Sequence, residues 1–156
     1  MPLPTIANNT IVGKIKTRLQ AIVAGAEYYF TLDAVYDNKP NGADLYQNST
    51  DTKVANIRDT LYEKLGEGSE ASQQVFDIEM TVEIDLIFKG ADASTVIRKM
   101  DADAQKAIAS DLAWDDAAFH TTYISSQRNK KDAFGNVISD LTLSITIQYR
   151  KTAWSV

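Results

Sequence analysis

Four carboxylates are the first candidates for chemistry. Val75–Phe88 reads VFDIEMTVEIDLIF, and its odd positions carry Asp77, Glu79, Glu83 and Asp85, with Thr81 between the two pairs. Its even positions, from Phe76 through Met80 and Ile84 to Phe88, are all apolar. Side chains on a strand alternate between faces, so the acids form one column and the apolar residues another. Asp77 and Glu79 would hold their Cβ atoms roughly 6.5–7 Å apart. That separation suits the paired carboxylates of a glycosidase or a hard cation such as Ca²⁺. No aspartate–glycine loop or flanking aromatic cleft accompanies them. A plain solvated face, or a shared surface on which negative charge is useful, competes with both readings.

Other chemistry finds less to stand on. His120 is the single histidine, and there is no cysteine. Disulfides, thiol catalysis and thiolate zinc sites are therefore excluded. One histidine needs carboxylates to complete a metal site, and the nearest, Asp115 and Asp116, fall in an expected turn. A serine hydrolase would need this histidine beside a serine and an acid. Ser125-Ser126 sits mid-strand without a G-x-S-x-G turn. Gly66 and Gly68 are too sparse for a phosphate-binding loop. The reading is of a chain that needs no cofactor or metal and is not an enzyme. Arg128, Lys130 and Lys131 form a basic group expected on a loop tip, where nucleic-acid binding would be weak and salt-sensitive. They read better as a solvated tip or as partners for an acidic neighbouring subunit. Trp154, beyond the last strand, either folds back or anchors a partner.

The elements that place these residues follow from periodicity. The 156 residues suit one domain, 1–156, with a real core. Net charge is -5, from 16 basic and 21 acidic residues, which argues against broad nucleic-acid binding. Ile11, Ile15, Leu19, Ile22 and Ala26 mark one face of a first helix, with Asn9 or Thr10 as its cap and Gly25 near its end. Lys14, Lys16 and Arg18 lie off that stripe, on a solvated face or a subunit contact. The stretch from Glu27 reads as a strand stopping at Asn38–Gly42, with weaker strands at Ala43–Gln47 and Val54–Arg58. Residues 66–74 read as a polar loop.

Val75–Phe88 is the strongest strand. Asp92–Leu112 is a second helix, burying Val96, Ile97, Met100, Ala104, Ala107, Ile108 and Leu112. Phe119–Gln127 and Val137–Arg150 form a hairpin with a longer loop between them. Two amphipathic helices and a sheet with one apolar side give an α+β two-layer sandwich. Its sheet is mostly antiparallel and both helices pack on one face. No apolar run approaches the roughly 20 residues that span a bilayer. The start MPLPTIANNT lacks signal-peptide character, so the expected place is a cytoplasm.

Two long stretches carry a resemblance. The run FKGADASTVIRKMDADAQKAIASDLAW, followed by FHTTYISSQRNKKDAFGNVISDLTLSITIQYRKTAW, resembles the C-terminal half of tail terminator proteins of long-tailed bacteriophages, also called tail completion or minor tail proteins. A strand leads into a helix rich in alanine and acid. An acid-containing turn follows, then a long hairpin ending in Tyr-Arg with a nearby Trp. Ile11–Gly25 matches that family's first helix, whereas residues 27–74 are longer and more polar than its usual central strand.

The resemblance implies a structural virion protein of the tail, assembled in the host cytoplasm. It implies a homohexamer ring that caps the tail tube and joins it to the head–tail connector, DNA passing through without specific binding and no membrane involved. A tail tube or head–tail joining protein is the nearby alternative. A small carbohydrate- or metal-dependent enzyme using the paired carboxylates is the distant one. Under the ring reading, Asp77, Glu79, Glu83 and Asp85 line the channel and repel phosphates over roughly 8–10 Å. Arg128, Lys130, Lys131 and Trp154 are then candidate contacts with subunits or partners.

Overall fold

Strict alternation in β3 (Val75–Lys89) sets the plan of the molecule. Met80, Val82, Ile84, Leu86 and Phe88 join Ile11, Ile15 and Leu19 of α1 (Ala7–Gln20) and Ile97, Met100 and Ala104 of α2 (Ala93–Ala109) in one core. Both helices therefore lie on the same side of the sheet. The computed structural model describes residues 7–39, 50–65, 75–133 and 136–152, with side chains described except at 75, 130–133, 136, 137 and 152. The remaining elements are β1 (Ala34–Asp37), β2 (Lys53–Lys64), β4 (His120–Ala133) and β5 (Asn136–Thr152). The sheet has five strands in the order β1-β2-β3-β5-β4. The short β1 runs parallel to β2, and every other pair is antiparallel. This is the expected α+β sandwich. Among the described residues no helix is long and apolar enough to cross a membrane.

Register places residues in rows across the sheet. Leu61, Thr81, Thr146 and Thr122 share one row, and Glu63, Glu79, Gln148 and His120 the next. Bulges interrupt β2 between Asp59 and Leu61 and β4 between Tyr123 and Ser125. β1 covers β2 only from Val54 to Ile57.

Several expectations are corrected. The first helix ends at Gln20 rather than near Gly25, so its start at Ala7 puts Asn9 and Thr10 inside the first turns. Ile22 still reaches the core from the following turn, but Ala26 is exposed. Residues 27–33 do not form a strand despite their aromatic content, because their backbone donors are satisfied elsewhere. The Asp103 carboxylate, 4% exposed, accepts N–H bonds from Tyr29 and Phe30 at 3.0–3.1 Å, and the Leu32 N–H donates to the Ile22 carbonyl. The second helix ends before Leu112, which is exposed. The residues expected as a hairpin loop mostly continue the ladder, which runs to Ala133 opposite Asn136. Arg128, Lys130 and Lys131 are thus strand residues. Ala43–Gln47, residues 66–74 and Trp154 lie outside the described residues.

Asp103→Ala removes the acceptor of those two N–H groups in a part-buried setting. The expected loss is about 2–3 kcal/mol, the scale of leaving buried donors unpaired. Denaturant unfolding measures it, and a loss below about 0.5 kcal/mol would show that the 27–33 segment is held by its apolar side chains instead.

Candidate functional site

The face of the sheet away from the helices carries the acid column, as the alternation of β3 requires. Among the described residues no helix lies over it. Its lower end holds a small apolar cluster, Val54 and Ile87 with Ala34, Tyr36 and Ile138. Above that, the surface is a lattice of charged, hydroxyl and amide side chains. Thr81, Thr146 and Thr122 cross it in one row, and Ser144, Thr142 and Gln148 follow along β5.

The sequence shows the acids, but their partners depend on register. Arg58 of β2 sits opposite Glu83 and beside Asp85. Its Nε donates to Asp85 Oδ2 at 2.7 Å and its Nη2 to Asp85 Oδ1 at 3.0 Å, and the same Nη2 lies 2.9 Å from Glu83 Oε2. Thr142 Oγ1 adds a donor to Asp85 at 2.8 Å. At the other end Arg150 of β5 is opposite Asp77 and grips it through Nε at 2.8 Å and Nη2 at 3.2 Å. Gln148 Nε2 donates to Glu79 at 3.0 Å. Two guanidiniums therefore answer four carboxylates, and the column carries a formal -2 rather than -4. The four acids are all engaged in cross-strand bonds. They remain wet: the side chains of Asp77 and Glu83 are 39% and 31% exposed.

These pairs move the titration of their members. The hydrogen bond from Arg150 is the main cause that holds the Asp77 carboxyl below its ordinary value. Asp85, first through its hydrogen bond, keeps Arg58 still more firmly protonated. Two acids off this face behave like Asp77. Burial opposes the charge on Asp33, yet N–H bonds from Thr52 and Lys53 outweigh it and lower its value. The N–H groups of Asp115 and then Ala113 lower that of Asp111. A carboxyl whose folded value is depressed contributes stability that is present above its unfolded value, near 3.9. That contribution is lost as pH falls through the folded value. Melting temperature should therefore stay level from pH 7 to about 5 and drop steeply below about 4. Arg150→Gln should flatten part of that drop, and an unchanged acid limb in this variant would show that the Asp77 pair does not contribute.

Of the other sequence candidates, His120 shares this face and the row of Glu79, one strand beyond Gln148. His120 begins β4, exposed, opposite Gln148. Asp115 and Asp116 lie in the expected turn, and Asp115 accepts from Lys14 at 2.8 Å. Lys14 and Arg18 are thus not a free basic face: Arg18 bonds Asp111 at 2.8 Å and stacks 4.1 Å from the centre of the Trp114 ring. Among the described residues no three His, Asp or Glu side chains are grouped to hold a metal. Of the candidate glycosidase pair, Asp77 gives both oxygens to Arg150 of β5, and Glu79 gives Oε2 to Gln148. Arg128 donates to Ser94 and Ser139 of its own chain at 3.3 Å. The side chains of Lys130 and Lys131, and Trp154 as a whole, lie outside the described residues.

Among the described residues this face offers a polar surface with a small negative excess, its four acids each bonded across strands. Comparison with known proteins finds no family model that matches the chain and no curated protein that matches it.

Proposed function

We propose that this chain is a structural subunit of a phage tail, a tail terminator. It forms a ring that caps the tail tube and meets the head–tail connector, with the bare face of its sheet turned toward the passing DNA. One observation carries the reading: among the described residues the sheet keeps both helices on one side and leaves the other side, above its small apolar cluster, polar and net anionic. In a ring of such subunits the helices form the outer wall. The sheet face supplies an inner wall that repels phosphate mildly, the reverse of the basic groove that binds nucleic acid. The charge pairing refines the picture, since a formal -2 per subunit leaves a surface that neither holds DNA nor presents a steep barrier to it. The resemblance of the α2–β5 region to tail terminators points the same way.

Light scattering and negative-stain microscopy of the purified protein, alone and with isolated tail tubes, test it. The expected result is a single closed ring, free or seated on tube ends. Long self-stacked tubes would transfer the reading to a tail tube protein. A monomer that leaves tube ends bare would overturn it.

A further inference from the structure

Exposed apolar side chains are not scattered over this molecule. Among the described residues nine large hydrophobics are exposed, and six sit on two strand edges at opposite ends of the sheet. Leu61 and Tyr62 lie on the half of β2 that β1 leaves unpaired, with Leu65 just past its end, and Tyr123 and Ile124 lie at the start of β4, the other outer strand, with Phe119 just before it. Open edges that carry apolar side chains invite another strand.

Three geometrical facts fit these two edges to each other. The first is level. Leu61 shares a row with Thr122, Tyr62 with Thr121, and Glu63 with His120, so the two apolar edge segments stand at the same height. The second is direction. β4 runs antiparallel to β2 within the sheet, so a second copy in the same orientation brings its β2 against β4 antiparallel. The third is charge in the lower half. There Ala34 of β1 shares a row with Asn129 in the basic stretch Arg128–Lys131 of β4, and Asp37, the acid at the end of β1, shares one with Ser126, two residues from Arg128, while the Asp33 carboxylate is turned inward onto the N–H groups of Thr52 and Lys53. The step left where β1 stops at Asp37 falls just below the bulge in β4 at Ile124, where a strand changes direction.

A groove completes the fit. It has a volume of about 300 Å³ and lies between α2 and β4, on the helix side of the sheet, walled by Ile108, Leu112 and Tyr123 with Gln105 and Lys106 at its polar rim. Tyr62 points to the helix side of its own sheet, opposite Met80, where its hydroxyl accepts a long bond from Asn8 of α1 at 3.4 Å that docking would exchange, and its row partner Thr121 lines this groove.

We propose that copies of this chain join edge to edge. The half of β2 that β1 leaves unpaired, residues 58–64, of one copy adds antiparallel to the start of β4, residues 120–125, of the next, and Tyr62 of the incoming copy fills the groove between α2 and β4. The contact uses two different patches, so it propagates head to tail, closing into a ring or extending into a filament according to its rotation. It keeps every helix on one side and every acid column on the other. The inference deepens the ring reading above and rests on it for closure, while the edges themselves argue for the pairing.

The chain has no cysteine, which makes disulfide trapping clean. Leu61→Cys copies mixed with Thr122→Cys copies, and Glu63→Cys with His120→Cys, should link on mild oxidation. Gln20→Cys on the exposed side of α1 should link with neither. Tyr62→Ala placed in the Leu61→Cys copy should lower the yield about tenfold, as loss of a buried aromatic anchor does. Rings that form without either link would overturn the edge pairing and leave the tail reading standing. Links within open filaments would support the pairing and sink the ring. Absence of both links and rings, at concentrations where other copies of the protein would collide freely, would overturn both.

Discussion

Trp114→Ala should be the most destabilising single change in the described part of the protein, at about 3–5 kcal/mol, the range for emptying a large aromatic site. Trp114 is fully buried, its Nε1 donates to Thr121 Oγ1 at 2.7 Å, and Thr121 in turn donates to the Leu112 carbonyl at 2.8 Å. Arg18 stacks on the ring and ties it to α1. The indole also holds a strained corner. Trp114, Asp115 and Asp116 have φ of 54°, 54° and 63°, three consecutive left-handed residues with side chains. Each costs about 1–2 kcal/mol. The Asp111 carboxylate offsets part of this by accepting the N–H groups of Ala113 and Asp115. Without the indole the corner has little to keep it wound, and the link between α2 and β4 should loosen. Urea unfolding followed by circular dichroism measures the loss. Trp114→Phe should lose less, about 2–3 kcal/mol, because a phenyl keeps part of the aromatic filling but gives up the rest of the indole's volume and one buried hydrogen bond. An alanine variant within about 1 kcal/mol of the parent would contradict this picture of the corner.

The second large effect is on charge. Exchanging Asp77, Glu79, Glu83 and Asp85 together for Asn and Gln does more than neutralise the column. It leaves Arg58 and Arg150 without their carboxylates, so the face passes from a formal -2 to +2. A face that releases DNA should become one that holds it, with affinity falling steeply as salt rises. Retention on immobilised duplex DNA across a salt series reads this directly. The parent should flow through at every salt concentration. The quadruple variant should be retained at low salt and released as salt approaches physiological strength. The amides preserve much of the hydrogen-bonding geometry, so the variant should fold, with a lower melting temperature from the lost charge-assisted bonds. A folded variant that flows through like the parent would show that this face has no bearing on DNA.

How much of this was visible beforehand depends on the length scale of each signal. The β3 alternation spans seven apolar positions and set both the strand and its faces, and α2 followed from a stripe of similar length. Arg58 and Arg150 could be read as strand residues, yet their pairing with Asp85 and Asp77 is a property of register between strands far apart in sequence. Composition carries no such information. The segment from Glu27 misled because β propensity describes fit to a half-buried pleat, and here Asp103 offers the backbone a better partner. Asp103 itself hides among the alternating acids and alanines of α2, where an outward-facing aspartate is the ordinary expectation. Gly135-Asn136 marks the hairpin in the sequence. The length of its strands does not show there, because the charged run Arg128–Lys131 pairs with β5 in a ladder that runs to Ala133 opposite Asn136.

In the ring we propose, the bare sheet face with Asp77 and Glu83 looks onto the central hole, helices outward. A cryo-electron microscopy map of the assembled protein tests that most directly. The expected map shows the acid column and its two arginines on the inner wall. A map with α1 and α2 lining the hole, or with Asp77 and Glu83 sealed between subunits, would contradict it.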